Sequence, residues 1–288
     1  MVAVLVALIL AEGLARLFHG PAFDLGSVED WALEDMASTH RPPPNRFGHR
    51  EAEIGDEVFA DGVTRVLVLG DSFTFGQGVH DGAARFTDRV EARLNEPGSR
   101  EVDSRFDVYN AGVNASNPSD WVKTLDVLLP VYRPDVVFAV FFLRSGAHLP
   151  TSFRFYQERL VELRRPYEES WLFPISALYR TWADFRVRGK FTREYVGRIH
   201  DAYLGDFAQT ESWRVEQDAL RRLAGRCAEL GIPFHLVLFP MLFDLQGNPF
   251  DPVEAEVERF AREAGISFFS LTPGFRGRDA SALWVSPS

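Results

Sequence analysis

An apolar, β-branched run from Val63 to Leu69 ends at Gly70-Asp71-Ser72 and passes into a loop that holds Gly76 and Gly78. Such a run suits a strand buried on both faces. Ser72 then stands where the strand stops and a helix or turn begins, a position whose backbone N–H can point at a developing oxyanion. Two readings fit the same residues. Ser72 is a nucleophile, or Asp71 and Ser72 simply cap the next segment. A second loop, Asn110-Ala-Gly-Val-Asn-Ala-Ser-Asn-Pro-Ser-Asp-Trp121, offers Gly112 for close backbone approach and a further N–H donor. Its Asn110, Asn114 and Asn117 add neutral side-chain donors, although plain turns use the same residue types. A third loop follows the run Asp135 to Leu143 and places Arg144 and Ser145 directly after it.

These three loops need a scaffold that brings strand ends to one edge, and the sequence alternates accordingly. Strands are expected at 63–69, 106–110, 135–143, 232–239 and 266–270. Helices are expected at 85–94, with Phe86, Val90 and Leu94 on one stripe, at 119–129 with Ser119 as cap, at 213–230 and at 252–264. Strand–helix alternation implies right-handed crossovers and a parallel sheet with helices on both faces. The fold class is α/β: a flavodoxin-like three-layer α/β/α domain of about five parallel strands, whose ligands bind beyond the carboxyl ends of the strands. Residues 150–211, rich in arginine and aromatics, read as a helical insertion, and 20–62, with Arg41 to Arg46 as its Pro-rich part, as a linker. The domain itself is 63–288.

Residues 1–19 begin with eleven apolar residues, about 16 Å of helix and half a hydrocarbon core. We read them as the end of a hydrophobic anchor that starts upstream of Met1, with an amphipathic or core helix as the alternative. The net charge of −10 over 288 residues excludes a sequence-independent nucleic-acid binder. The single cysteine, Cys227, excludes an internal disulfide and lies at helical spacing with Leu220, Leu223 and Leu230. Charged clusters such as Arg221-Arg222 and Glu254 to Arg259 read as solvated helix faces.

The Gly70-Asp71-Ser72 turn, the block Tyr109 to Val113 and the order of both around βαβ units resemble the SGNH or GDSL hydrolases. Together with the apolar amino terminus, Asn45 and Gly48, they look like membrane-anchored bacterial members of that family. The resemblance implies a serine esterase or acyltransferase acting on O-acyl groups, such as O-acetyl esters of cell-envelope or extracellular glycans, outside the cytoplasm. It implies Ser72 as nucleophile and oxyanion donor, Gly112 as second donor, Asp71, Asn110 and Asn114 in support, and neither metal nor cofactor. Two departures stand out. Arg144-Ser145 replaces the family's Asn, so Arg144 is the candidate third donor. The family's Asp-x-x-His block, which supplies the base, is expected beyond Ser288, and the chain reads as a fragment. Within the chain His80 and His148 follow strands at the right edge, though both read better as solvated loop residues; His19, His40, His49, His200 and His235 have no positional claim. A non-catalytic module binding an envelope glycan or protein is the rival reading.

Overall fold

The computed structural model describes residues 2–18, 44–97, 105–149 and 153–283. It divides into two compact units, one from the described residues of 1–32 and 150–198, the other from those of 33–149 and 199–288.

The larger unit is built on five parallel strands, β1 (Val63–Gly70), β2 (Arg105–Gly112), β3 (Val136–Phe142), β4 (Phe234–Phe239) and β5 (Ser267–Ser270), in the order β2-β1-β3-β4-β5. Its helices are α2 (Ser72–Phe75), α3 (Phe86–Leu94), α4 (Pro118–Tyr132), α5 (Leu143–Ala147), α8 (Glu211–Glu229), α9 (Asp251–Glu263) and α10 (Thr272–Phe275). The chain runs outward from β1 to β2 and returns past β1 to β3, so the strand order reverses between β1 and β3. Their carboxyl ends therefore flank the crevice that this topology creates for a ligand.

Alternation along the strands sorts side chains onto two faces. Leu67, Leu69, Val137, Ala139, Phe141, Leu236 and Leu238 are fully buried on one. Phe141 packs there against Trp121 of α4 and Trp213 of α8, and Trp213 in turn against Phe260 of α9. On the other face Val66, Val68, Val108 and Val140 form a smaller core, with Val136, Phe138, Val237 and Phe239 only half-buried beside it.

Several local expectations change. The stripe Phe86 and Val90 of α3 is exposed, and α3 turns Thr87 and Glu91 inward instead. The reason lies in the sheet, because β2 is an edge strand with open hydrogen-bonding groups. Glu91 accepts from Val108 N at 3.0 Å, and Asn95 both accepts from Phe106 N at 2.9 Å and donates to Phe106 O at 2.8 Å. Ser119 does not cap α4. The helix starts earlier, at Pro118, with Asp120 accepting from Asn117 N at 3.3 Å, and Ser119 is drawn to Glu216 instead. Leu230 lies past the end of α8 and is exposed, while Leu220, Leu223 and Cys227 are buried.

The segment read as a linker is described from residue 44 onward, and it is not extended. Arg50 is almost fully buried, and its guanidinium donates to the carbonyls of Gly76, Val79 and His80, the last two at 2.7 and 3.0 Å. The loop's own backbone satisfies the Gly76 carbonyl, from Val79 N at 3.0 Å, but among the described residues not those of Val79 and His80, and a buried polar group without a partner costs roughly 1–3 kcal/mol. Arg85, also buried, donates to Arg50 O and pairs with Glu51 and Asp88 at 2.8 and 2.7 Å. Residues 45–51 thus strap the loop that follows Ser72.

The smaller unit contains α1 (Val2–Phe18), α6 (Phe153–Glu168) and α7 (Ala177–Leu204) as far as Arg198. Glu12 of α1 accepts from Ala177 N and Leu178 N at 2.8 and 3.0 Å and from Ser176 Oγ at 2.7 Å, satisfying donors at the start of α7. Among the described residues no helix is long and apolar enough to cross a membrane.

Candidate active site

The reversal of strand order brings two of the three candidate loops together. Asp71 is the N-cap of α2: its Oδ1 accepts from Phe73 N at 3.0 Å and its Oδ2 accepts from Ser145 Oγ at 2.8 Å. One buried carboxylate so ties the turn after β1 to the helix after β3. Burial raises the Asp71 pKa, against the pull of those two hydrogen bonds and of the Arg144 charge. Ser72 is the first residue of α2 and is 8% exposed. Among the described residues neither its hydroxyl nor its N–H has a hydrogen-bond partner.

Gly112 does not serve as expected. Its N–H donates to Asn110 Oδ1 at 2.9 Å and is therefore taken. A Cβ on Gly112 would fall on the backbone of Thr74 and Phe75, so the glycine lets α2 lie directly on β2. Gly112→Ala is expected to lower stability by about 2–3 kcal/mol and to move Ser72, since backbone cannot yield as a side chain can; urea unfolding with the same slope as the parent chain checks it. Asn110, 1% exposed, completes the seat by donating to Thr74 O and to Thr87 Oγ1 at 2.9 Å. Asn114 is exposed. Its neighbour Ala115 has φ +61°, a left-handed conformation that costs a non-glycine residue roughly 1–2 kcal/mol. Ala115 is itself exposed, and among the described residues its N–H has no acceptor. Alanine carries no left-handed signal, and sequence inspection had nothing to detect it by.

Arg144 lies half-buried on α5, its guanidinium 6.0 Å from the Phe142 ring centre. Among the described residues it makes no ion pair or hydrogen bond, and its five donors remain open.

His148 is exposed, as expected of a loop residue, but it is held at one side. It follows α5 in a left-handed conformation, φ +48°, and its Nε2 is hydrogen-bonded to Glu216 Oε1. Glu216 is fully buried on α8 and also accepts from Ser119 N at 2.8 Å and Ser119 Oγ at 3.0 Å. The hydrogen bond to Glu216 raises the His148 pKa, against desolvation. Among the described residues no histidine contacts Ser72, and residues 284–288, which were expected to lead into the base, lie outside those described, as do His19 and His40. No group of three His, Cys, Asp or Glu among the described residues could hold a metal ion.

Two titrating groups of the strap oppose each other. Burial pushes the His49 imidazole down to about 4, beside Tyr109 Oη at 3.1 Å. Burial pushes Glu51 up to about 7, against the attraction of Arg85. A lowered histidine contributes stability that is present above its ordinary 6.5 and lost as pH falls through 4. A raised carboxyl contributes stability that is present below its ordinary 4.5 and lost as pH rises through 7. Each amounts to about 3 kcal/mol, and between them the slopes cancel. Urea midpoints should therefore rise on mild acidification in His49→Phe and fall in Glu51→Gln, while the parent chain stays flatter.

No family model and no curated protein matches the sequence. Solved structures do. The chain is similar to AlinE4, an SGNH-hydrolase family esterase, at 13% identity and a TM-score of 0.42, covering 76% of this chain and 82% of that one. It is also similar to TesA, at 15% identity and a TM-score of 0.43 over 75% and 83% of the two chains. A third is Axe2, an acetylxylan esterase from Geobacillus stearothermophilus, at 14% identity and a TM-score of 0.35 over 71% and 74%. These are likenesses of fold, and no residue role is carried over from them.

Proposed function

We propose that the chain is a serine esterase of SGNH type acting on O-acyl esters, with acylated cell-envelope or extracellular glycans as its substrate class and the amino-terminal segment attaching it to a membrane outside the cytoplasm. The observation that carries the reading is Ser72, whose hydroxyl and N–H are both unpartnered at the start of α2, in the crevice where strand order reverses. In this reading the Ser72 oxygen attacks the ester carbonyl and its proton passes to a base. The carbonyl oxygen becomes an oxyanion held by the Ser72 N–H and by Arg144. The alcohol then leaves with the proton, and water releases the acyl group. Whether the acyl group passes to water or to another alcohol depends on which acceptor enters the crevice.

A fluorophosphonate probe tests the reading. Intact mass should show one adduct per chain, absent in Ser72→Ala, and an adduct that persists in Ser72→Ala would remove the assignment. The rival, a non-catalytic cleft, draws on the lack of any histidine in contact with Ser72 among the described residues. It requires no adduct under any condition, together with saturable binding of an acylated glycan.

Arg144 gives a second handle. If its free guanidinium meets the oxyanion, Arg144→Ala lowers kcat by about 100-fold and leaves KM nearly unchanged, as for an interaction made in the transition state. A rise in KM at constant kcat would instead make Arg144 a clamp for an anionic substrate.

A further inference from the structure

The smaller unit carries exposed apolar surface beside uncompensated positive charge. On α1, Leu10, Leu14 and Leu17 recur at helical spacing and are all exposed, Leu17 at 80%. Glu12 and Arg16 occupy the opposite side of the same helix and bind the start of α7: Arg16 donates to Ile175 O at 2.9 Å. The turn it holds, between α6 and α7, exposes Trp171 at 74% and Ile175 at 54%. Arg180 donates to Phe173 O at 2.9 Å, so two guanidinium groups bind the carbonyls of this turn while its large side chains face solvent. Along α7 a stripe runs from exposed Trp182 through Arg186, Lys190 and Arg193, also exposed. None of these three cations has an acidic partner among the described residues. Residues 150–198 hold ten basic and six acidic side chains, a net +4, against one basic and four acidic in residues 1–32 of the same unit, so the positive charge is concentrated on the α6–α7 segment.

We infer that this unit docks on the surface of an anionic lipid bilayer, with the Leu10–Leu14–Leu17 stripe, Trp171 and Ile175 entering the interface and the α7 cations facing lipid headgroups. Indole rings favour that boundary, and basic side chains near an anionic membrane each add attraction that salt screens. At 17 residues α1 is about 25 Å long, short of a hydrocarbon core of about 30 Å. The inference extends the membrane attachment proposed above and is independent of the chemistry at Ser72.

Vesicle sedimentation and lipid-borne quenching test it on the 288-residue chain. Partitioning onto phosphatidylcholine vesicles should strengthen about tenfold or more when phosphatidylglycerol is included, and weaken again with added salt. Bromine-labelled lipid should quench the tryptophan fluorescence, and Trp171→Phe should remove most of that quenching while leaving the fold intact. Ile175→Asp and Leu14→Asp, both at exposed positions, should each weaken partitioning. Binding without Trp171-dependent quenching would overturn the docking surface and leave α1 alone as the attachment. No binding to either vesicle would overturn the membrane reading as well. A concentration-dependent dimer that Leu14→Asp dissociates, with no vesicle binding, would make the stripe a contact between copies of the chain. Fluorophosphonate labelling of Ser72 in the same variants reports separately on the esterase reading.

Discussion

Ser72→Ala is expected to reduce turnover of a short-chain aryl ester by about 10⁴-fold or more while leaving stability unchanged. The first half follows from the route. Without the hydroxyl there is no acyl-enzyme, and what remains is whatever the oxyanion donors achieve with water alone. The second half separates this reading from a capping role. Ser72 is the first helical residue and Asp71 is the cap, accepting from Phe73 N. The Ser72 hydroxyl bonds nothing among the described residues, so its loss breaks no contact. A capping serine would instead cost about 1 kcal/mol on truncation. Steady-state kinetics beside urea unfolding decide the matter: unchanged turnover, or lost stability with turnover retained, returns Ser72 to the structural role.

Glu216→Ala is expected to cost about 1–3 kcal/mol, the range for leaving buried donors without their acceptor. The carboxylate accepts from the Ser119 N–H, the Ser119 hydroxyl and His148, and is itself fully buried. Truncation leaves these donors facing a void at the meeting point of α4, α5 and α8. Glu216→Gln keeps the shape and an acceptor but not the charge, and should cost less. It should also let the His148 pKa fall back toward its ordinary value, which proton NMR can follow. The sign of the pH dependence is set by that raised pKa. The pair contributes fully below about 6.5 and loses its contribution as pH rises through the folded value, so the gap between the parent chain and Glu216→Gln should narrow in alkali. Because Arg144 lies on the short helix that His148 ends, both variants should, if the proposed esterase reading holds, lower kcat more than they raise KM.

The scaffold was legible where burial controls residue choice. The β-branched runs of β1 and β3 and the glycines after α8 and α9, at φ +69° and +67°, announce their elements directly. Ser72 was legible for the same reason, since it follows the end of a doubly buried strand. The failures are polar groups with distant partners. Glu216 was not singled out, yet it falls on one stripe with Trp213, Leu220, Leu223 and Cys227, all buried, and an acid in that register was the available signal. Glu91 and Thr87 broke the apolar stripe expected of α3 because an edge strand needed acceptors and donors more than it needed apolar cover. Gly112 was recognised as a site of close approach, but the hydrogen bond that consumes its N–H depends on how the Asn110 side chain folds back, which spacing does not encode.

The strap formed by His49, Arg50 and Glu51 bears on where this fold can be trimmed. By strand alternation alone a minimal chain would start at Val63. Such a chain would leave Val79 and His80 with two open carbonyls, Arg85 without Glu51, and Tyr109 without Asn45 or His49. The loop after Ser72 would then be the first place a protease enters. A boundary placed ahead of Asn45 keeps it closed.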